Sequence, residues 1–513
     1  MLISCGIRCG TGTQMAATVQ PTDHRDPVRG WRCLRNVGPP EESGGPTLFL
    51  DLLHSCAPAR LSKRTVVLRS SGIAGHDWTV AEIFVSESKF EPVEMIRASR
   101  LVVRMGRALL TAGSGSYRVK TVMQQAGAAL GMTSIHAQVT INEITATCHR
   151  GAIYRTEVAQ SSTIGVNSDR IGLIQNYCEE LEPAPENASA AEIGARMDEL
   201  EAFLDEVEAR PHLYHDIANS LFAAVACAAF AFLNDGGIFE VLAVFCGAAL
   251  GQYVRRLMLH RGLNQLAVTM IAAAVASFLY LAIANGLYSA GVVETLHESG
   301  YVSAVLFLVP GFPLITAALD LSRLDFSAGM SRLSYALMIM ISAALSLWAV
   351  SAVLGLEPSP PEPLDLNGAL FLTLRLVASA LGVWGFAMIF NSPWKVALIA
   401  AGIGMIANTA RLVFVDQGMF VQGAAFIAGL IVGVLSNLIA PRLNIPRITL
   451  SVPAVVIMIP GAAGYRSIFY LNAGDTLQAL TYGFNAIFVV IAVAVGLTFA
   501  RSLTEQHWLD SAK

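Results

Sequence analysis

An α-helical polytopic membrane protein of about ten spans, built as two inverted five-helix repeats behind a small α+β cytoplasmic domain, is the fold class this sequence predicts. Three observations predict it. The 513 residues are 54% hydrophobic and only 14% charged, with a mean hydropathy of +0.55, which is too apolar for an ordinary soluble domain. Charge is also uneven: residues 1–215 hold 21 Lys/Arg and 24 Asp/Glu, whereas residues 216–500 hold 11 and 12 over a longer stretch. Beyond His215 the apolar segments approach or reach the roughly 20 residues needed to cross a bilayer.

Residues 1–94 read as a disordered extension, with Pro39-Pro40, Gly44-Gly45 and scattered charge in place of periodicity. Leu48 to Leu53 is too short for a signal core, so no cleavable targeting segment is expected. A start assigned too far upstream would explain the region equally well, because Met95 opens the first convincing helix.

From 95 to 210 the pattern becomes a small mixed domain. Ile96, Leu101, Val102, Met105, Leu109 and Leu110 recur at helical spacing, and Gly113-Ser114-Gly115 stops that helix. A second helix is expected over Tyr117–Leu130. Short Thr- and Ile-rich strands follow at Ile135–Val139, Ile141–Thr147 and Ile153–Val158, then helices near Ser168–Leu181 and Ala190–Ala209.

Ten spans follow, at about 216–233, 237–254, 265–285, 300–318, 332–355, 368–390, 394–413, 419–439, 449–471 and 477–500. With the front domain in the cytoplasm, the inside loops hold Arg255, Arg256, Arg261, Arg323, Arg332, Lys395, Arg442, Arg447 and Arg501, against Arg411 and Arg466 outside. The loops 286–299 and 357–367 contain no Lys or Arg and carry Glu294, Glu298, Glu357, Glu362 and Asp365. That asymmetry places the front domain and the C-terminus inside.

The ten spans divide into two sets of five, over 216–356 and 366–501. Val309-Pro310-Gly311-Phe312-Pro313 in the fourth span has a counterpart in Ile459-Pro460-Gly461-Ala462 of the ninth. An odd number of spans per half turns the copies to face opposite ways, a construction of many secondary transporters whose solute site lies where interrupted helices meet. Proline removes a backbone N–H, glycine lets the chain leave the helix, and the freed groups can bind a polar solute.

The stretch Leu308-Val-Pro-Gly-Phe-Pro-Leu-Ile315, followed by Asp320, Leu321 and Gly329, resembles the bacterial threonine/serine exporter family. So does Val452-Pro453 followed by Ile459-Pro-Gly-Ala-Ala-Gly-Tyr-Arg466. The front domain is similar to that family's cytoplasmic domain in Ala112-Gly-Ser-Gly-Ser-Tyr-Arg-Val119, Leu130-Gly131 and Val166-Asn-Ser-Asp-Arg-Ile171. The resemblance covers roughly residues 95–501. It implies an amino-acid exporter of the bacterial inner membrane, driven by an ion gradient and most simply by protons, with modules fused here that other members carry as separate chains. Lys120 stands where the family pattern leads one to expect an acid. Related members that carry other small acids, such as a dicarboxylate, keep a second substrate class open.

Pro310, Gly311, Pro460 and Gly461 are therefore candidates for the translocation site, or simple kinks where helices pass. Arg466 is placed to pair with a substrate carboxylate, or to anchor a helix end. Asp320 and Asp325, flanking Arg323, are candidate proton acceptors, or exposed loop partners of that arginine. Glu240 and Arg375 are expected to snorkel from span ends. Asn264, Asn285, Asn408 and Asn437 either line a polar path or bond neighbouring helices. His136 and His149 read as ordinary packed or surface histidines.

A net charge of -4, with no basic cluster interleaved with aromatics, argues against nucleic acid. Cys5, Cys9, Cys33, Cys56, Cys148, Cys178, Cys227 and Cys246 form no C-x-x-C pair, so they read as small buried hydrophobes and no metal is expected. Neither a G-x-x-x-x-G-K-[ST] loop nor H-E-x-x-H occurs, so no nucleotide or other cofactor and no enzymatic chemistry is expected. A membrane-tethered enzyme or sensor and a channel are the competing classes. The partners expected are a small-molecule amino acid, a coupling ion and the lipid bilayer, with a homo-oligomer among the assembly states left open.

Overall fold

The computed structural model describes residues 92–161, 164–185, 187–293, 300–356 and 367–504, together with short strands between residues 3 and 83. The chain divides into two compact units, residues 1–91 and 92–513. In the first, the backbone pairs β1 (Ile3–Arg8), β2 (Gln14–Pro21) and β3 (Trp31–Cys33) in one antiparallel sheet, and β4 (Leu48–Phe49), β5 (Arg64–Ser70) and β6 (Trp78–Ile83) in another. The disordered extension expected over 1–94 falls mostly outside the described residues, as do the acidic residues expected at 294–298 and 357–365.

The second unit opens with α1 (Pro92–Thr111) and α2 (Ser116–Ala129), then the antiparallel meander β7 (Ser134–Val139), β8 (Glu143–Arg150) and β9 (Ile153–Gln160), then α3 (Ser168–Glu180) and α4 (Ala190–Ala209). Strand β8 buries Ile144, Ala146 and Cys148 on one face, the period-2 pattern of a half-covered sheet. Leu101, Val102, Met105 and Leu109 of α1 are buried beside it. Sequence periodicity put β8 two residues early. Thr140–Glu143 instead closes the hairpin turn, and the Ile141 N–H donates to Ser331 Oγ at 3.0 Å. Ser189 and Glu192 form a capping box on α4, and Arg104 links α1 to Asp205 and Glu208 of that helix.

The membrane module comprises α5 (Asp216–Leu233), α6 (Ile238–His260), α7 (Gln265–Ser289), the short α8 (Gly300–Ser303) with a 3-10 turn at Leu306–Leu308, α9 (Gly311–Ser322) and α10 (Phe326–Leu354). It continues with α11 (Gly368–Ile389), α12 (Trp394–Asp416), α13 (Val421–Ile439), α14 (Arg447–Val456), α15 (Gly461–Asn472) and α16 (Thr476–Thr504). Among the described residues, eight helices are long and apolar enough to cross a membrane. Two further pairs, residues 300–322 and 447–472, pass the same test together but bend by 62° and 49°, giving up to ten spans.

Large apolar side chains such as Phe484, Ile487, Phe488 and Ile491 point outward, where a bilayer would solvate them, while small residues fill the interior. A Cβ at Gly429 of α13 would stand 2.5 Å from the Val493 carbonyl of α16, so those helices approach as closely as backbones allow. Cys148, Cys178 and Cys227 are buried as expected, but Cys246 is exposed on α6. The helix places it among lipid-facing side chains, a direction that composition alone does not resolve.

Candidate functional site

Each bent pair breaks at its proline. Pro310 has φ -78° and ψ 61°, and Pro460 has φ -80° and ψ 63°. In both, the glycine N–H that follows donates across the proline at 2.8 Å, Gly311 to Val309 and Gly461 to Ile459, which is an inverse γ-turn. The elements after the breaks match at a constant separation of 150 residues: α9 with α15 and α10 with α16, each pair equal in length. The breaks also touch reciprocally. A Cβ on Gly311 would meet Val456 Cγ1 at 2.9 Å and Ile459 Cδ1 at 3.0 Å, and one on Gly461 would meet Leu306 Cδ2 at 2.7 Å and Val309 Cγ2 at 3.0 Å. Only glycine permits that approach. Pro310, Gly311, Pro460 and Gly461 are thus brought together.

Space beside the breaks is scarce. A cavity of about 40 Å³, lined by groups including Val302, Leu306, Leu347, Tyr465 and Ile468, has room for roughly three waters. The hydroxyl of Tyr465, which lines it, meets the buried hydroxyl of Tyr301 at 2.5 Å, tying α8 to α15. In this conformation the breaks are closed around apolar contacts.

The front domain meets the membrane module at the far end of α9. Asp320, expected on an exposed loop, is instead buried in the last turn of α9. It lies 3.3 Å from Arg332 Nε, and the backbone N–H and hydroxyl of Ser116 donate to it at 3.1 and 3.0 Å. The Arg332 guanidinium, itself buried, aims its directed bonds at the carbonyls of Ser114 and Gly113, at 2.6 and 3.4 Å, so the contact with Asp320 is ionic without a well-aligned hydrogen bond. Gly113 makes this loop possible with φ +93°, a backbone state that L side chains rarely adopt. Asp325 caps α10 and takes Lys120 Nζ at 2.5 Å and Ser116 Oγ at 2.7 Å. Burial alone would raise the Asp325 carboxyl, but the Lys120 and Ser116 hydrogen bonds outweigh it and hold the group below the usual carboxylate range. Lys120, the residue that departs from the family pattern, therefore complements Asp325.

Beside this junction lies a cavity of about 120 Å³, room for a solute of several heavy atoms. Four arginines line it: Arg118 from α2, Arg323 after α9, Arg447 opening α14, and Arg501 near the end of α16. Asp320 is its one lining carboxylate among the described residues, and Ser436, Asn437, Ser451 and Thr498 add neutral polar groups. Tyr117 spreads the charge, with Arg323 3.9 Å and Arg501 5.5 Å from its ring centre. Burial, and then the nearby positive charges of Arg501 and Arg447, push the Arg118 guanidinium below its ordinary range. Crowded cations of this kind are relieved by an anion.

Arg466 sits on α15 with its guanidinium 5.8 Å from the Tyr482 ring centre, away from the arginine cavity. Glu240, expected to snorkel, is 6% exposed inside the module. Arg375 does pair at a helix end, with Asp416. Asn264 caps α7, Asn285 bonds its own helix, Asn408 bonds Ser379 of α11, and Asn437 alone of the four lines the cavity while donating to Thr504. His136 and His149 pack edge to face on neighbouring strands. Arg118, Arg447 and Arg501 were not singled out by sequence reasoning as a site, because an arginine at the end of a span looks the same whether it orients the span or binds a solute, and Arg118 lies on a different domain from the other two.

A polytopic helical module with paired helix breaks and a basic cavity defines a membrane transporter of small solutes. The chain belongs to the threonine/serine exporter family: one model of that family matches residues 100–354 and a second, described as "Threonine/Serine exporter, ThrE", matches residues 375–503. It is 24% identical over 421 residues to the threonine/serine exporter of Corynebacterium glutamicum, covering 80% of this chain and 81% of that one. It is 23% identical to the probable threonine/serine exporter of Mycobacterium tuberculosis, covering 79% and 75%. It is also 24% identical to the probable succinate transporter subunit YjjP of Escherichia coli, covering 49% of this chain and 95% of that one. No solved structure matches.

Proposed function

We propose that this chain exports a small carboxylate-bearing metabolite, threonine or serine first, by alternating access driven by an inward proton gradient. The observation that carries the reading is the 120 Å³ cavity ringed by Arg118, Arg323, Arg447 and Arg501. Guanidinium forks match carboxylate geometry and act strongly when shielded from water. In this reading the domain over 95–210 and the C-terminus face the cytoplasm, as the loop arginines favour, so the cavity is the entry site. Residues 216–356 and 366–501 form two five-helix repeats of opposite orientation. The reciprocal contacts between Gly311 and Gly461 and the opposite breaks support that arrangement.

Substrate captured by the arginines moves between the breaks when they separate, and backbone groups freed at Pro310 and Pro460 receive it. Asp320 and Arg332 act as the latch that holds the front domain on the inner end, with Asp325 and Lys120 as its outer half. Arg466, beyond the breaks, guides the carboxylate outward.

A dicarboxylate is the second reading, and a specific observation favours it. Four guanidiniums repel an ammonium group, and Asp320 is already engaged by Arg332 and Ser116. The YjjP relatives support the same class. Inside-out vesicles test both: labelled threonine should enter with a KM that rises when Arg447 is replaced by alanine. Competition by succinate stronger than by serine would select the dicarboxylate reading. Uptake of neither solute by inserted protein would sink the proposal.

A further inference from the structure

Glu240 is an acidic group that the cavity and the breaks do not use. It stands at the third position of α6, 6% exposed, with Oε2 lacking any hydrogen-bond partner. A Cβ on Gly300, where α8 begins, would lie 2.5 Å from Glu240 Oε1 and would also strike the Tyr280 hydroxyl, so carboxylate and phenol converge on one point of the first broken segment. The next residue, Tyr301, reaches Tyr465 of the second broken pair.

From the elements packed on α6, α7 contributes Tyr280 and α8 contributes Gly300 and Tyr301. The other acidic and basic side chains of α5 and α6, namely Asp216, Arg255, Arg256 and His260, lie at the opposite ends of those helices, where Arg256 pairs with Asp216, and Asp235 stands in the turn between the two helices, five residues before Glu240. Glu294, His297 and Glu298 lie outside the described residues. Glu240 has no ion pair among the described residues, and an ionised carboxylate in an apolar interior is costly unless paired or wetted.

We propose that Glu240 is the residue that carries the coupling proton, switching the α8–α9 broken pair between its two positions. The inference rests on the proton-driven reading above. One proton adds to a carboxylate oxygen from the outer side, forming an O–H bond and removing one negative charge. The neutral acid packs against Tyr280 and Gly300 in the closed arrangement. After the module opens inward the proton leaves to the inner side and the carboxylate is restored, while substrate passes the other way.

The test uses the full chain in proteoliposomes, with labelled threonine and labelled succinate in parallel. Two quantities are read: exchange of label against the same unlabelled solute, and the steady-state distribution under a gradient of one pH unit. For each coupled proton, wild type should shift its distribution by up to about tenfold. Glu240→Gln should keep exchange and lose that shift. A Glu240→Gln protein that still responds to the gradient overturns the assignment, as does one that loses exchange together with the response. A wild type that exchanges solute but ignores the gradient overturns the proton-driven reading itself, and Glu240 falls with it.

Discussion

Asp320 and Arg332 face one another across the turn between α9 and α10, both buried and 3.3 Å apart, with the Gly113–Ser116 loop of the front domain closing over them. Removing one partner strands a buried charge, which costs about 3–5 kcal/mol, whereas removing both costs less. Arg332→Met should therefore lower the melting temperature in detergent markedly, and Asp320→Asn/Arg332→Met should recover part of the loss. Equal melting of wild type and Arg332→Met would show that the pair does not hold the junction.

The outer half of the junction has a defined pH window. Asp325 is held below the usual carboxylate range, so its contribution is fully present above the unfolded value of about 4 and is lost as pH falls through the lower folded value. The stability difference between wild type and Lys120→Met should stay level from about pH 5 to 8 and shrink below 4. A difference that varies across the neutral range would mean another group governs docking.

Pro310 and Pro460 set the two γ-turns. Alanine restores a backbone N–H and lets the helix run on, so each substitution should impair transport while leaving insertion and expression intact. Transport rate and membrane content, measured on the same cells, decide it.

Gly461 has no room for a side chain, since a Cβ would stand 2.7 Å from Leu306 Cδ2. Gly461→Val should overpack the contact, at about 1–3 kcal/mol, and slow transport. Gly474, in an open turn with nothing near its Cβ position, is the control for packing: alanine there should disturb only the local backbone.

Loss of one charge-assisted hydrogen bond is worth roughly 1.5–3 kcal/mol, or about a tenfold to hundredfold change in KM. Arg118→Ala and Arg447→Ala should each show such a rise for solute entering from the cavity side, with Arg447→Lys intermediate because an ammonium lacks the fork. An unchanged KM in both alanine variants would remove the cavity from the substrate path.

Much of the architecture was legible because it follows from local rules: span length, helix periodicity, Gly113-Ser114-Gly115 as a stop, and paired Pro-Gly breaks. Of the candidate residues, the sequence named Pro310, Gly311, Pro460 and Gly461, which sit at the breaks, and Asp320, which lines the arginine cavity. Asp320 looked like a loop carboxylate because its burial comes from Ser116 and Arg332, respectively 204 residues before it and one helix on, and no local pattern announces such a contact. Glu240 near a span end suggested snorkelling, and its burial beside Gly300 and Tyr280, which come from other elements, is a contact no local pattern announces. The arginine cavity draws on five helices, α2, α9, α13, α14 and α16, so nothing short of the fold assembles it.

The most direct test of the central claim is efflux from cells that lack their own exporters, loaded with a threonine- or serine-containing dipeptide and in parallel with succinate, with and without this protein and with a protonophore. Faster loss of one of these solutes that collapses with the protonophore is the predicted result. Unchanged efflux of all of them from a well-inserted protein would contradict it.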